Sequence, residues 1–296
     1  MKRLLTLVMA VLLCVAGAGL ASAEVAPSAH HSRAGQIPSA PLMTLAAAPA
    51  SPPGERLTTA ASVTRAMQAV LPSAKVSFEV YDRQTNAVLT SQNADQPGAA
   101  MSVVKLLIAL DPLDRDNWAA PDNATQQEIH QMLAASDDPI TDSLWTADGG
   151  PAIVSRMVSV LGLTGTRPPA DPGEWGDTLI TPQDMVTVYR FITDQLPNPD
   201  RDLVLGALAD APRIAADGTN QYFGIPDGMP HTTWAIKQGW GTSGSQAVMN
   251  STGLVGADSR YVVILLASAP ENAYSTPPAA VTAGAGALAS LVGGES

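Results

Sequence analysis

The chain has 296 residues and a single cysteine, Cys14. It also has few lysines: Lys2, Lys75, Lys105 and Lys237. Aromatic residues make up only 4% of the chain. With Cys14 inside the apolar N-terminal run, the rest of the chain has neither a disulfide nor a thiol to use, so its stability must come from packing. Beyond that run no stretch is long and apolar enough to cross a membrane. Positive charge is scarce too. Setting aside residues 1–23 removes two of the 16 Lys+Arg and none of the 27 Asp+Glu, and the net charge falls to about −13. A surface of that sign repels phosphate backbones and argues against nucleic acid as a partner.

Lys2 and Arg3 precede an uncharged run from Leu4 to Leu20, and Ala21-Ser22-Ala23 follows with the small residues a signal peptidase reads. Residues 1–23 are therefore expected to be a signal peptide, and the mature protein secreted to the cell envelope and free of the membrane. Leu12-Leu13 before Cys14 does not fit a lipoprotein signal, which wants a small residue there. Residues 24–55 are rich in Ala, Pro and Ser without apolar periodicity, the composition of a disordered spacer. Residues 56–296 are long enough for one large domain or two small ones and are read as one.

Within that domain Arg56 to Leu71 has helical spacing, and Val76 to Tyr81 and Asn86 to Thr90 read as a hairpin joined at Arg83-Gln84-Thr85-Asn86. Met101 to Leu110 reads as a buried helix ended by Asp111-Pro112, and Thr125 to Ala135 as a further helix. A third, Ile153 to Leu163, stops at Gly165. Arg167 to Gly176 is dense in Pro, Gly and Asp and reads as a loop. Thr181-Pro182 caps a helix to about Leu196, and Leu203 to Leu208 is a short helix. Three strands follow, Thr233 to Gly239, Gln246 to Val255 and Arg260 to Ser268, with Gly241 to Ser245 as a turn; Ala279 to Val292 closes the chain as a helix. A short hairpin needs more strands to be stable, so the two distant strand groups must pair. The expectation is an α+β fold: a five-stranded antiparallel sheet flanked by terminal helices, with an inserted mainly helical lobe and a cleft between.

The scarce lysines mark the candidate chemistry. Lys105 stands three residues after Ser102 in Met101-Ser102-Val103-Val104-Lys105, and positions i and i+3 share a helix face, so the amine can sit beside the hydroxyl. A serine at a helix start also offers its own N–H to a developing oxyanion. By itself such a pair is weak evidence, because a surface helix carries serine and lysine by chance. Its apolar setting is more telling, since a buried lysine needs a reason. Ala135-Ser136-Asp137-Asp138-Pro139 lies at a break between helical segments, where Ser136-Asp137 also reads as an ordinary cap. Lys237-Gln238-Gly239 lies in a strand, where Gly239 would let a substrate backbone approach closely.

In this order the three segments resemble the signature set S-x-x-K, S-D-N, K-T-G of the serine β-lactamase and penicillin-binding protein superfamily. Gly149-Gly150-Pro151, Leu161-Gly162-Leu163, Asp177-Thr178, Thr181-Pro182 and Gly224-Ile225-Pro226 are similar to class A enzymes as well, so the resemblance spans roughly Arg56 to Val292. It implies that Ser102 is the acylated nucleophile and Lys105 its base. Ser136 would relay a proton to the leaving nitrogen, and Lys237 would supply positive potential and hold Ser136. The backbone N–H groups of Ser102 and Trp240 would form the oxyanion hole, with Asp138, Gln238 and Gly239 facing the substrate. No cofactor and no metal is implied; His130 and His231 stand alone. The implied partner is a peptidoglycan-type peptide or a β-lactam.

Three departures qualify the resemblance. Asp138 replaces the Asn of S-D-N and Gln238 replaces the Thr of K-T-G. The omega-loop glutamate that activates the deacylating water in class A enzymes aligns near Gly165, where there is no acid; Asp171 and Glu174 come several residues later. The expectation is thus a serine hydrolase or acyl-transferase acting on cell-wall peptides or β-lactam-like amides, with slow deacylation. Two other readings stay open: a catalytically weak domain kept for binding, and a true β-lactamase whose rearranged loop brings in Glu174.

Overall fold

The computed structural model describes residues 53–273 and 277–292; the expected signal peptide and most of the expected spacer lie outside them. The chain divides into two units, residues 1–42 and 43–296, and everything described belongs to the second.

In chain order the elements are α1 (Pro53–Val70), β1 (Lys75–Asp82), β2 (Ala87–Gln92), β3 (Gly98–Ala99), a 3₁₀ turn (Met101–Val104), α2 (Lys105–Arg115), α3 (Asn123–Ala134), α4 (Asp138–Ala147), α5 (Pro151–Leu161), β4 (Leu179–Ile180), α6 (Pro182–Asp194), α7 (Asn198–Ala209), α8 (Ile225–Gly228), β5 (Trp234–Ser243), β6 (Gln246–Val255), β7 (Tyr261–Pro270) and α9 (Pro277–Val292). Strands β2-β1-β7-β6-β5 form one antiparallel sheet in that order, with β5 at a free edge. The α+β architecture expected from the strand and helix patterns is the one observed. Among the described residues no helix is long and apolar enough to cross a membrane.

The central strand β7 explains why two cores form. Its sequence is apolar almost without alternation, and the pleat sends successive side chains to opposite faces. Val262, Ile264 and Leu266 pack with α2, α5 and α6 residues such as Leu107, Met157 and Tyr189. Val263, Leu265 and Ala267 pack with Val63 and Met67 of α1 and with Val281, Ala285 and Leu288 of α9. The terminal helices thus cover one face and the helical lobe the other.

Several boundaries differ from expectation for physical reasons. Asp111-Pro112 does not end α2, which continues to Arg115. Asp111 is fully buried in a two-pronged ion pair with Arg156 of α5, and Leu113 is buried as well, so packing holds the last turn past the proline. Helix α5 stops at Gly162, which takes the left-handed conformation at φ 67°, and not at Gly165. Gly165 is small because a Cβ there would lie 2.3 Å from Thr181 Cγ2. Strand β5 runs on through Gly241-Thr242-Ser243, leaving only Gly244-Ser245 as the turn. His130 is not isolated, since its Nε2 lies 3.1 Å from Asp210 Oδ2.

One buried charge in the sheet makes stability depend on pH. Glu79 of β1 is 6% exposed beside Ile264, and desolvation raises its pKa to about 7. An acid whose folded pKa is raised stabilises the fold below its unfolded value, and that contribution is lost as pH rises from about 4.5 to about 7. Glu79→Gln is therefore expected to stabilise the protein at pH 8.5 by on the order of 2 kcal/mol and to have little effect at pH 4.5. Melting curves at the two pH values test it; equal shifts at both would refute it.

Candidate active site

The site forms where α2, α4 and β5 meet. Ser102 lies in the 3₁₀ turn that leads into α2, a first turn whose N–H groups have no acceptor within the helix. Met101 just before it adopts φ 49°, a strained conformation for a non-glycine residue. The turn is tied to the sheet by Asn250 of β6, whose Nδ2 donates to Ala99 O (2.9 Å) and Ala100 O (3.1 Å). From there α2 is buried on all sides over Leu106 to Leu110, and Lys105 with it.

The four residues that the motifs select converge into one network. Lys105 Nζ lies 2.9 Å from Ser102 Oγ, 2.9 Å from Ser136 O and 3.2 Å from Ser136 Oγ. Lys237 Nζ donates to the same Ser136 Oγ at 2.9 Å. Ser136 therefore bridges the two lysine side chains, and it does so from φ 56°, a second strained non-glycine residue at the site. Ser102, Lys105, Ser136 and Lys237 are each 5% exposed or less. Of Ser136-Asp137, read as an ordinary cap, Asp137 is the cap, accepting from Ile140 N, while Ser136 belongs to the network.

Burial decides the electrostatics. Desolvation pushes Lys105 below the ordinary lysine range, while Asp138, with Oδ1 2.5 Å from Nζ, pulls the other way. Lys237 is pushed well below its usual value by burial and by the charge of Lys105. Both lysines are thus biased towards the neutral amine, the form that can accept a proton.

The predicted substrate contacts fare unevenly. Asp138 faces the cleft, with a side chain 49% exposed. Gln238 does not: it is fully buried, and its Nε2 donates to Gln221 O (3.1 Å) and Phe223 O (2.6 Å). Its amide closes the loop before α8 onto β5 and is turned from the ligand side. Gly239 has no room for a Cβ because the turn bearing Ser102 presses on it, with Ala100 O 2.6 Å from where a Cβ would sit. The close approach is thus the chain's own and not a substrate's. Lys237 O accepts from Thr252 Oγ1 of β6 (2.6 Å), and strand alternation turns the backbone groups of Trp240 towards the free edge.

The cleft has a volume of about 450 Å³ and is lined by Ser102, Asp138, Glu174, Trp175, Asp217 and Trp240 among others. Glu174 is exposed on it and makes no hydrogen bond to the lysine–serine network. Trp175 stacks its ring 4.9 Å from Lys105 Nζ and donates to Asp142. Trp145 is instead core, its indole tied to Pro172 O. Sequence reasoning missed Asp217. It accepts from Trp240 Nε1 (3.0 Å); although burial opposes it, that bond and those from Thr219 hold its carboxyl below the usual range. A larger cavity of about 680 Å³, lined by residues such as Gln68, Asn93 and Gln246, contains none of the predicted residues.

No family model matches the chain. Its structure has the fold of the serine β-lactamases and penicillin-binding proteins. A class A β-lactamase from Mycobacterium abscessus superposes with a TM-score of 0.64 at 18% identity, over 79% of this chain and 99% of that one. A variant of PBP-A, as an acyl-enzyme complex with penicillin G, gives 0.62 at 19% identity, over 82% and 100%. The β-lactamase of Streptomyces albus G gives 0.60 at 20%, over 79% and 99%. In sequence the chain is 32% identical over 211 residues to LppW of Mycobacterium tuberculosis strain H37Rv, a protein provisionally named a lipoprotein, covering 69% of this chain and 67% of that one. The chain belongs to the LppW family.

Proposed function

We propose that the protein is an exported serine acyl-transferase or hydrolase that works through an acyl-enzyme on Ser102. The observation that carries this reading is the unbroken buried network Ser102–Lys105–Ser136–Lys237 opening onto a cleft. Lys105, as neutral amine, takes the hydroxyl proton of Ser102 while Oγ bonds to the substrate carbonyl carbon. The N–H groups of Ser102 and Trp240 receive the oxyanion. Ser136 passes a proton to the leaving nitrogen and is resupplied from the lysines on either side of it.

Two considerations weigh against a binding module. Placing two ammonium groups out of water costs stability, and a surface made only for recognition gains nothing from it. The strained Met101 and Ser136 flank the same network, as expected where geometry serves chemistry. The charge of the cleft separates the substrate classes: Asp138, Asp142, Glu174, Asp177 and Asp217 line it, and Gln238 offers no group for a carboxylate. That disfavours an anionic β-lactam as the natural substrate, and penicillin serves as a probe of Ser102. Export belongs to the same proposal, supported by the N-terminal run of residues 1–23 and the name of the relative.

The decisive experiment is intact mass of the domain after incubation with a penicillin, with Ser102→Ala as control. An adduct mapping to Ser102 and absent from the variant is the expected result. Drug loss that persists in Ser102→Ala, or no adduct and no drug loss with penicillin or peptide substrates, would refute the reading.

A further inference from the structure

An acyl-enzyme must be released, and in the loop from which class A enzymes draw their water-activating acid no carboxylate is hydrogen-bonded to the lysine–serine network. Its Gly165 is pressed on Thr181, and Glu174 stands exposed on the cleft wall. A carboxylate is present at another point. Asp138, in the place where the resembled motif has Asn, lines the cleft half-exposed, and its Oδ1 is 2.5 Å from Lys105 Nζ. Ser102 Oγ is 2.9 Å from that same nitrogen. Both oxygens thus contact the same nitrogen on the cleft wall, which sets the carboxylate beside Ser102. Asp138 is not engaged as a helix cap, because Asp137 caps α4.

Resting on the acyl-enzyme reading above, we propose that Asp138 is the base that activates water to deacylate Ser102. An asparagine in its place could orient a ligand but could not take a proton.

The protons balance over a full cycle. In acylation Lys105, as neutral amine, takes the Ser102 proton as the Oγ–carbon bond forms, and that proton leaves through Ser136 to the departing nitrogen. In deacylation the Asp138 carboxylate takes a proton from water as the water oxygen bonds to the acyl carbon. The carbon–Oγ bond then breaks, and the proton passes from Asp138 through Lys105 to Oγ, which restores the starting state. On this mechanism deacylation need not be slow, despite the missing loop acid.

The test is a pulse–chase by intact mass with a chromogenic cephalosporin on the parent, Asp138→Asn and Glu174→Gln. The expected result is a Ser102 adduct in all three that decays at least ~100-fold more slowly in Asp138→Asn than in the parent, and a smaller loss in Glu174→Gln. Asp138→Glu should recover part of the deacylation, which a merely structural role would not predict. Decay of the Asp138→Asn adduct at the parental rate would overturn the proposal, as would a larger effect from Glu174→Gln. Either outcome would leave the acyl-enzyme reading standing. No adduct and no drug consumption in the parent would remove both. An Asp138→Asn chain that fails to fold is detected by its lack of adduct, and Asp138→Glu then decides: parental decay supports the base, and persistent adduct overturns it.

Discussion

Lys105→Ala is expected to slow acylation of Ser102 by about 10³-fold, within the range for loss of a positioned general base. Lys105 Nζ is the basic group in contact with Ser102 Oγ, and burial biases it towards the neutral amine. Lys237 reaches the nucleophile only through Ser136, one hydrogen bond further away. The fold should survive. The substitution removes an ammonium whose burial costs stability, and the Asp138 carboxylate left behind is half in water. The rate of adduct growth by intact mass, beside a melting curve, separates the two effects. Unchanged acylation in a folded variant would take Lys105 out of the role of base.

The second large effect concerns stability. Asp111 is fully buried near the end of α2, and Arg156 of α5 meets it with Nε and Nη2, both at 2.7 Å, while Nη2 also donates to Asp148 O. Removing one partner of such a pair strands the other charge without compensation. Arg156→Ala is expected to destabilise the protein by about 3 kcal/mol, the lower end of the range because the arginine is about one-third exposed. The midpoint of urea unfolding should fall with its slope unchanged. A loss below about 1 kcal/mol would mean that water replaces the guanidinium. The pair also matters to the site, because it clamps the far end of the helix that begins at Lys105.

Much of this was legible in the chain, and for local reasons. Ser102 and Lys105 are one helical turn apart, so their meeting needs no knowledge of the rest of the fold. The run from Tyr261 to Ala267 is apolar at every pleat, which marks a strand covered on both faces. Thr181-Pro182 opens α6 as a cap followed by proline, and Thr181 Oγ1 does accept from Asp184 N. The Ser102–Lys105 pair and Thr181-Pro182 also carried the family resemblance, whose fold the structure comparison matches.

What local pattern left open turned on contacts between distant segments. Pro112 reads as a stop, yet the Asp111–Arg156 pair and the buried Leu113 carry the helix past it. Gln238 reads as a ligand contact, yet its amide is held by the carbonyls of Gln221 and Phe223. Asp217 had no motif to mark it, because its partner Trp240 lies 23 positions away.

The amino-acid sequence by itself determined most of the elements, the pairing of two strand groups into one sheet and the three segments that bear the proposed chemistry. Periodicity and i, i+3 spacing act over a few residues and do not depend on the rest of the chain. Tertiary structure alone decided which atoms meet: the bridge of Ser136 between two buried lysines, the turn of Gln238 away from the cleft, and the contact of Asp138 with Lys105. Those depend on how α2, α4 and β5 pack, and packing is settled by the whole core at once.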